Sequence, residues 1–157
     1  MESNAYFAYV FVAVWLGSSR EIPIETMGKI MEDVIIKMRP FFGLINVNTK
    51  KGSRFWYHFM KKYDKWYEKF GKQYPETFKI QFDESLHTDG SYYCITKCPI
   101  CSFLKEQGIG EIMGILCETD KLMFAMQHGI LHREHTIARG EAMCDYWIVG
   151  DQVKNPR

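Results

Sequence analysis

Apolar residues recur along this chain at two different periods, and the change from one to the other divides it. Ala5 to Leu16 (AYFAYVFVAVWL) is a continuous apolar run closed by Gly17 and two serines. A bilayer span takes about 20 such residues, so the run predicts a buried N-terminal helix. A second helix is predicted from Pro23, with Ile24, Met27, Ile30, Met31, Val34, Ile35 and Met38 at helical spacing. Glu21 and Glu25 at its start and Lys37 and Arg39 at its end suit the helix dipole, and Pro40 stops it. The Gly-Ser-Ser turn makes these two helices an antiparallel hairpin. Residues 40 to 52 read as a loop. Ser53 is placed to cap a third helix, Arg54 to about Lys72, with Phe55, Trp56, Phe59, Met60, Tyr63, Trp66, Tyr67 and Phe70 as one stripe.

From Phe78 the period shortens to two. Phe78, Ile80 and Phe82 alternate with polar residues, and Tyr92-Tyr93-Cys94-Ile95 follows a Thr88-Asp89-Gly90 turn, which predicts a β-hairpin. A helix should start at Pro99 and run to about Gln107. Gly108 and Gly110 interrupt it, and another helix should end near Met126. The tail reads as a second hairpin, strands 131–139 and 143–149 around a Gly140-Glu141 turn. The expected fold is α+β: N-terminal helices, then an antiparallel sheet of two β-hairpins with helices packed on it. No linker or repeat divides the chain, so 1–157 is expected to be a single domain, helical to about 75 and α+β from about 76.

Composition narrows the class. The 157 residues are 46% hydrophobic and 15% aromatic, which excludes disorder. The net charge of +1 favours neither nucleic acid nor membrane. Within residues 50–79, however, nine Lys/Arg stand against three Asp/Glu, a local +6. Lysines 61, 62, 65, 69 and 72 interleaved with aromatics could form a single-strand nucleic-acid platform. The aromatics share the helical period, which favours aromatics facing the core and lysines facing water. Glu2 is the only charge before the apolar run, which does not suit a secretory signal. The expectation is a cytoplasmic protein without a membrane or nucleic-acid partner. The outer side of the helical half could form a homo-oligomer.

All five cysteines lie between 94 and 144, and their odd number suits a reducing compartment. Cys94-x3-Cys98-x2-Cys101 has the radical-SAM iron–sulfur spacing. Only 56 residues follow Cys101, too few for the barrel such enzymes need, and Pro99 breaks the segment. Zinc is the other candidate: Cys98-Pro99-Ile100-Cys101 is a CxxC pair, Cys117 and Cys144 lie at separations that a fold could bring together, and His128, His132 and His135 add imidazoles; a single CxxC is a weak signal for it. His132 and His135, three apart on a predicted strand, would point to opposite faces.

The segments TKCPICSFLKEQGIGEIMGILCETD and HREHTIARGEAMCDY carry a resemblance. They are similar to the L-2-amino-thiazoline-4-carboxylate hydrolase family through Cys98, Gly108, Cys117, Asp120, Thr136, Gly140, Cys144 and Asp145. The likeness is tight over about 50 residues and loose over the helical half. A related signature occurs in 4-vinyl-reductase-type domains, which resemble small-molecule sensing modules with a structural zinc.

The resemblance implies that water adds to C2 of a cyclic amidine and opens the ring to a carbamoylated cysteine. That chemistry needs an activated nucleophile, a proton donor and a cation for the carboxylate. Two routes stay open. Cys98, Cys117 and Cys144 could hold a zinc that activates water, or Cys98 could attack as a thiolate. Asp120 is the candidate base or ligand and His135 the candidate acid. Arg139, with Thr136, is the candidate substrate clamp. Asp145 must point away from Cys144 on a strand, and Cys144 is taken as the inward one. The alternative function is a non-catalytic ligand-binding module with structural zinc.

Overall fold

The computed structural model describes residues 2–70, 73 and 76–156, with side chains in the first helix from Phe7 onward. Five helices come first: α1 (Glu2–Gly17), α2 (Ile24–Lys37), α3 (Arg39–Phe42), α4 (Lys50–Ser53) and α5 (Phe55–Phe70). Strands β1 (Lys79–Gln81) and β2 (Ser91–Lys97) follow, then α6 (Pro99–Glu106) and α7 (Met113–Ala125), and finally β3 (Gly129–His132) and β4 (Cys144–Gly150). The strands form one antiparallel sheet in the order β1-β2-β4-β3. This is the expected α+β class.

Strand register sorts the side chains. The pairs Tyr93↔Tyr146, Ile95↔Cys144 and Leu131↔Ile148 put these residues on one face. That face joins a core with Met27 and Met31 of α2, Tyr63 of α5, Leu104 of α6 and Phe124 of α7. The opposite face carries Tyr92, Cys94, Asp145, Trp147 and His132. It is covered by the β1–β2 connection, from which His87 stacks on Trp147 at 3.8 Å.

The N-terminal helix buries only one side. Ala8, Phe11, Val12 and Trp15 are in the core, whereas Val10, Val14 and Leu16 are exposed. An apolar run without polar interruption cannot encode which side faces out. The α1–α2 turn takes its positive φ at Ser19 and Arg20, not at Gly17. The predicted loop 40–52 contains two helical turns, α3 and α4, the second capped by Thr49, whose side chain accepts from Gly52 N at 3.0 Å.

Ser53 ends α4 and does not cap α5. Instead Ser91, fully buried at the start of β2, accepts the Tyr57 N–H at 3.1 Å and donates to Ser53 O at 2.7 Å. A hydroxyl distant in sequence thus satisfies one of the orphan donors of the helix. Along α5, Tyr57 and Tyr63 are buried, but Phe55, Phe59 and Trp66 are exposed, so the aromatic stripe is only partly core. Lys72, at the expected end of this helix, lies outside the described residues.

The first hairpin, α6 and α7 follow expectation; Gly108, at φ +65°, ends α6. The tail differs. β3 stops at His132, and residues 133–143 form a long connection with a 3₁₀ turn at Ile137–Arg139. His135 and Arg139 are therefore not strand residues, and the alternation argument for His132 and His135 does not apply.

Ser91→Ala leaves a buried N–H and a buried carbonyl without their shared partner. It should lower unfolding free energy by about 1–3 kcal/mol in urea titration; an unchanged midpoint would show that this hydroxyl does not hold α5 to the sheet.

Candidate functional site

The 133–143 connection is held in place by its first residue. The Arg133 side chain is 2% exposed and lies between α7 and β4. It donates to Asp120 Oδ2 at 2.9 Å, to the Cys117 carbonyl at 2.6 Å and to the Tyr146 hydroxyl at 3.2 Å. Tyr146 donates in turn to Asp120 Oδ2 at 2.7 Å and stacks on Tyr93. Burial pushes the Asp120 carboxyl above its ordinary range, against the opposing pull of Arg133 and Tyr146. Removing the Asp120 carboxylate would leave the Arg133 guanidinium buried without its charge partner, a loss that typically costs about 3–5 kcal/mol.

Side chains then take up consecutive backbone N–H groups. Asp145 accepts from Glu134 N at 3.1 Å and His135 N at 2.6 Å. Glu141 accepts from Thr136 N, and Cys144 Sγ accepts from Ile137 N at 3.2 Å. Thr136 Oγ1 accepts from Arg139 N at 3.3 Å, and Gly140, at φ +91°, closes the turn in the left-handed region. Lys105 of α6 donates to Ile137 O at 3.2 Å. Irregular backbone is fixed here by named partners on β4, α6 and its own flank.

The fixed turn forms one wall of a cleft of about 300 Å³, contributed by Thr136, Ala138 and Arg139. The other wall is the N-terminal end of α7 with the turn before it: Gly110, Glu111, Gly114, Cys117 and Glu118. Those positions share a helical face, and a Cβ built on Gly114 meets nothing within 4 Å, so the glycine leaves the cleft open. The result is a guanidinium on one wall and two carboxylates on the other. Glu111 also pairs with Arg20 at 3.2 Å, and Glu118 with Lys121 at 2.7 Å.

The sequence candidates separate. Arg139, Thr136 and Cys117 line the cleft. Asp120 does not line it; its carboxylate is engaged by Arg133 and Tyr146. His135 is exposed, and its Nδ1 lies 3.1 Å from Glu141 Oε1, a hydrogen bond that raises its pKa. Cys98 is buried as the residue preceding α6. Of the expected catalytic set, Cys98, Asp120 and His135, none lines this cleft.

Burial pushes Cys98 and Cys117 up to about 12 and raises Cys144, so a Cys98 thiolate is not favoured at neutral pH. Cys98, Cys117 and Cys144 feel one another electrostatically. Yet among the described residues no group of three or more His, Cys, Asp or Glu side chains is arranged to hold a metal ion. Cys94 faces the other side of the sheet, 3.1 Å from the Tyr92 hydroxyl, so it does not converge with Cys98 and Cys101 on one cluster.

The family model described as L-2-amino-thiazoline-4-carboxylic acid hydrolase matches residues 3–148. The chain belongs to this family. It is accordingly a hydrolase-family protein, and the match takes in the helical half as well as the motif-bearing half. No curated protein and no solved structure gives a significant match. Among the described residues no helix is long and apolar enough to cross a membrane.

Sequence reasoning missed Arg133, Tyr146 and Glu111. Nothing local distinguishes Arg133 from its surface-type neighbours in HREH. Glu111, Gly114 and Glu118 did carry a signal, since their spacing places them on one helical face.

Two measurements check this geometry. In the native protein, iodoacetamide should label Cys98 and Cys117 at neutral pH about a thousandfold more slowly than a free cysteine. Rapid native labelling of Cys98 would restore the thiolate nucleophile. In an NMR titration, His135 should have a midpoint above the ordinary 6.5. The pair favours the imidazolium, so the interaction is present below that midpoint and lost as pH rises through it. Glu141→Gln should bring the midpoint down; an unmoved midpoint would remove Glu141 as the cause.

Proposed function

We propose that the cleft between the start of α7 and the 136–139 turn binds a small zwitterion, a carboxylate joined to a cyclic amidinium, and hydrolyses its ring. The observation that carries this reading is the opposed charge of the two walls, Arg139 against Glu111 and Glu118. The family's named substrate, 2-amino-thiazoline-4-carboxylic acid, has that charge pair. Arg139 takes the carboxylate in a bidentate hydrogen-bonded pair. Glu111 and Glu118 take the amidinium.

Glu118 then serves as the general base. It accepts a proton from a water that adds to the amidine carbon, and a tetrahedral intermediate forms. Collapse breaks the bond from that carbon to the ring nitrogen, which leaves with the proton held by Glu118. The product is the ring-opened carbamoyl compound, the substrate plus one water. Cys117, protonated because it is buried, lines the site as a neutral thiol. Arg133, Asp120 and Tyr146 act through position: they hold the connection that presents Arg139.

Turnover of 2-amino-thiazoline-4-carboxylate, followed by chromatography and by product mass, tests the reading. Arg139→Gln removes a charge-assisted contact worth about 1.5–3 kcal/mol, so kcat/KM should fall between roughly tenfold and a hundredfold, mainly through KM. Glu118→Gln should lower kcat. Ligand binding that depends on Arg139 with no hydrolysis would overturn catalysis in favour of a binding module. Unchanged kinetics in both variants would move the site elsewhere.

A further inference from the structure

The outward face of α5 is unusual for a helix packed on a sheet. Phe55, Phe59, Lys62, Trp66 and Lys69 recur at i, i+4, i+7, i+11 and i+14, which is one line along the helix. All five are exposed, the aromatics by 37%, 39% and 44% in chain order. Lys65 and His58 flank the line and are exposed too. Of the helix's own carboxylates, Asp64 falls on its far side, and the exposed Glu68 borders the line three residues after Lys65. Among the described residues no salt bridge involves Lys62, Lys65 or Lys69.

We propose that this face docks on the surface of an anionic lipid bilayer. Three lysines spaced i, i+3 and i+7 repel one another, a cost that an anionic surface relieves. Rings of Trp and Phe beside lysines are the composition of helices that lie in the bilayer interface. The two most exposed large apolar residues of the described chain are Phe41 (74%) and Leu44 (82%). Their segment is tied to α7 by Val47 N donating to Gln127 O, and α5 is tied to the same residue by Trp56 Nε1 donating to Gln127 Oε1.

A lipid surface fits better than a nucleic acid. The rings pack on each other, Phe55 on Phe59 at 5.8 Å and Trp66 on Phe70 at 5.1 Å, along a single convex helix. Bases need free aromatic faces in a groove that tracks the backbone. The expectation of no membrane partner rested on the absence of a spanning segment, and peripheral binding needs none. This surface includes no residue that lines the Arg139 cleft, so the proposal stands apart from the hydrolase reading.

The test is co-sedimentation of the full chain with phosphatidylcholine vesicles, with and without phosphatidylserine. Binding is expected only with phosphatidylserine, weakened by raised salt, with a blue shift of tryptophan emission that Trp66→Ser abolishes. The triple variant Lys62→Gln, Lys65→Gln, Lys69→Gln should bind on the order of a hundredfold more weakly. Its sites are exposed, and an unchanged far-UV spectrum verifies folding; Phe59→Ser alone should also weaken binding. No binding to phosphatidylserine vesicles, or binding that the triple variant retains, overturns the proposal. So does binding of a single-stranded oligonucleotide through the same lysines with no vesicle binding.

Discussion

The ion pair between the buried Arg133 guanidinium and the partly buried Asp120 carboxylate is the constraint around which the C-terminal half is arranged. A guanidinium in the core is tolerated only when its donors are used, and here a carboxylate, a hydroxyl and a backbone carbonyl take them. These partners come from α7 and β4, so one side chain fixes helix, strand and the start of the connection together. Such a pair contributes little net stability compared with apolar packing. It specifies one arrangement, because any other leaves a charge without its partner.

From that anchor the residues that carried the family resemblance acquire structural roles. Asp120 holds Arg133, Thr136 caps the turn, Gly140 supplies the left-handed residue, and Cys144 and Asp145 receive backbone N–H groups. They are the means by which a connection without regular hydrogen bonding keeps a fixed shape. In the proposed reading the cleft chemistry falls to other side chains, Arg139, Glu111 and Glu118, which line two walls of the cleft. A substrate with both charges suits such a site, since each wall desolvates only the charge that the ligand replaces.

The cysteines illustrate how burial decides chemistry. A CxxC at the start of a helix invites a thiolate or metal reading, because helix N-termini favour negative charge. In this fold the apolar surroundings outweigh that field, and Cys98 and Cys117 are pushed up to about 12. Their spacing in sequence was visible, but the solvent access that governs reactivity was not.

The sequence by itself determined the main helices, the first hairpin and the α+β class, because hydrophobic period and punctuation by Gly and Pro are local properties; the motif residues between Cys98 and Asp145 carried the family resemblance. It also marked the turn at Gly140, whereas the helical face that carries Glu111, Gly114 and Glu118 was present in the spacing but not singled out. Tertiary structure alone decided which side of α1 and α5 faces water, since an apolar run or a wide aromatic stripe does not name its partner. It decided that Ser91, not Ser53, satisfies the start of α5. It also ended β3 at His132, where Arg133 turns into the core toward a carboxylate thirteen residues earlier. Long-range pairing of polar groups depends on what the folded chain brings within hydrogen-bond reach, and no local pattern encodes that distance.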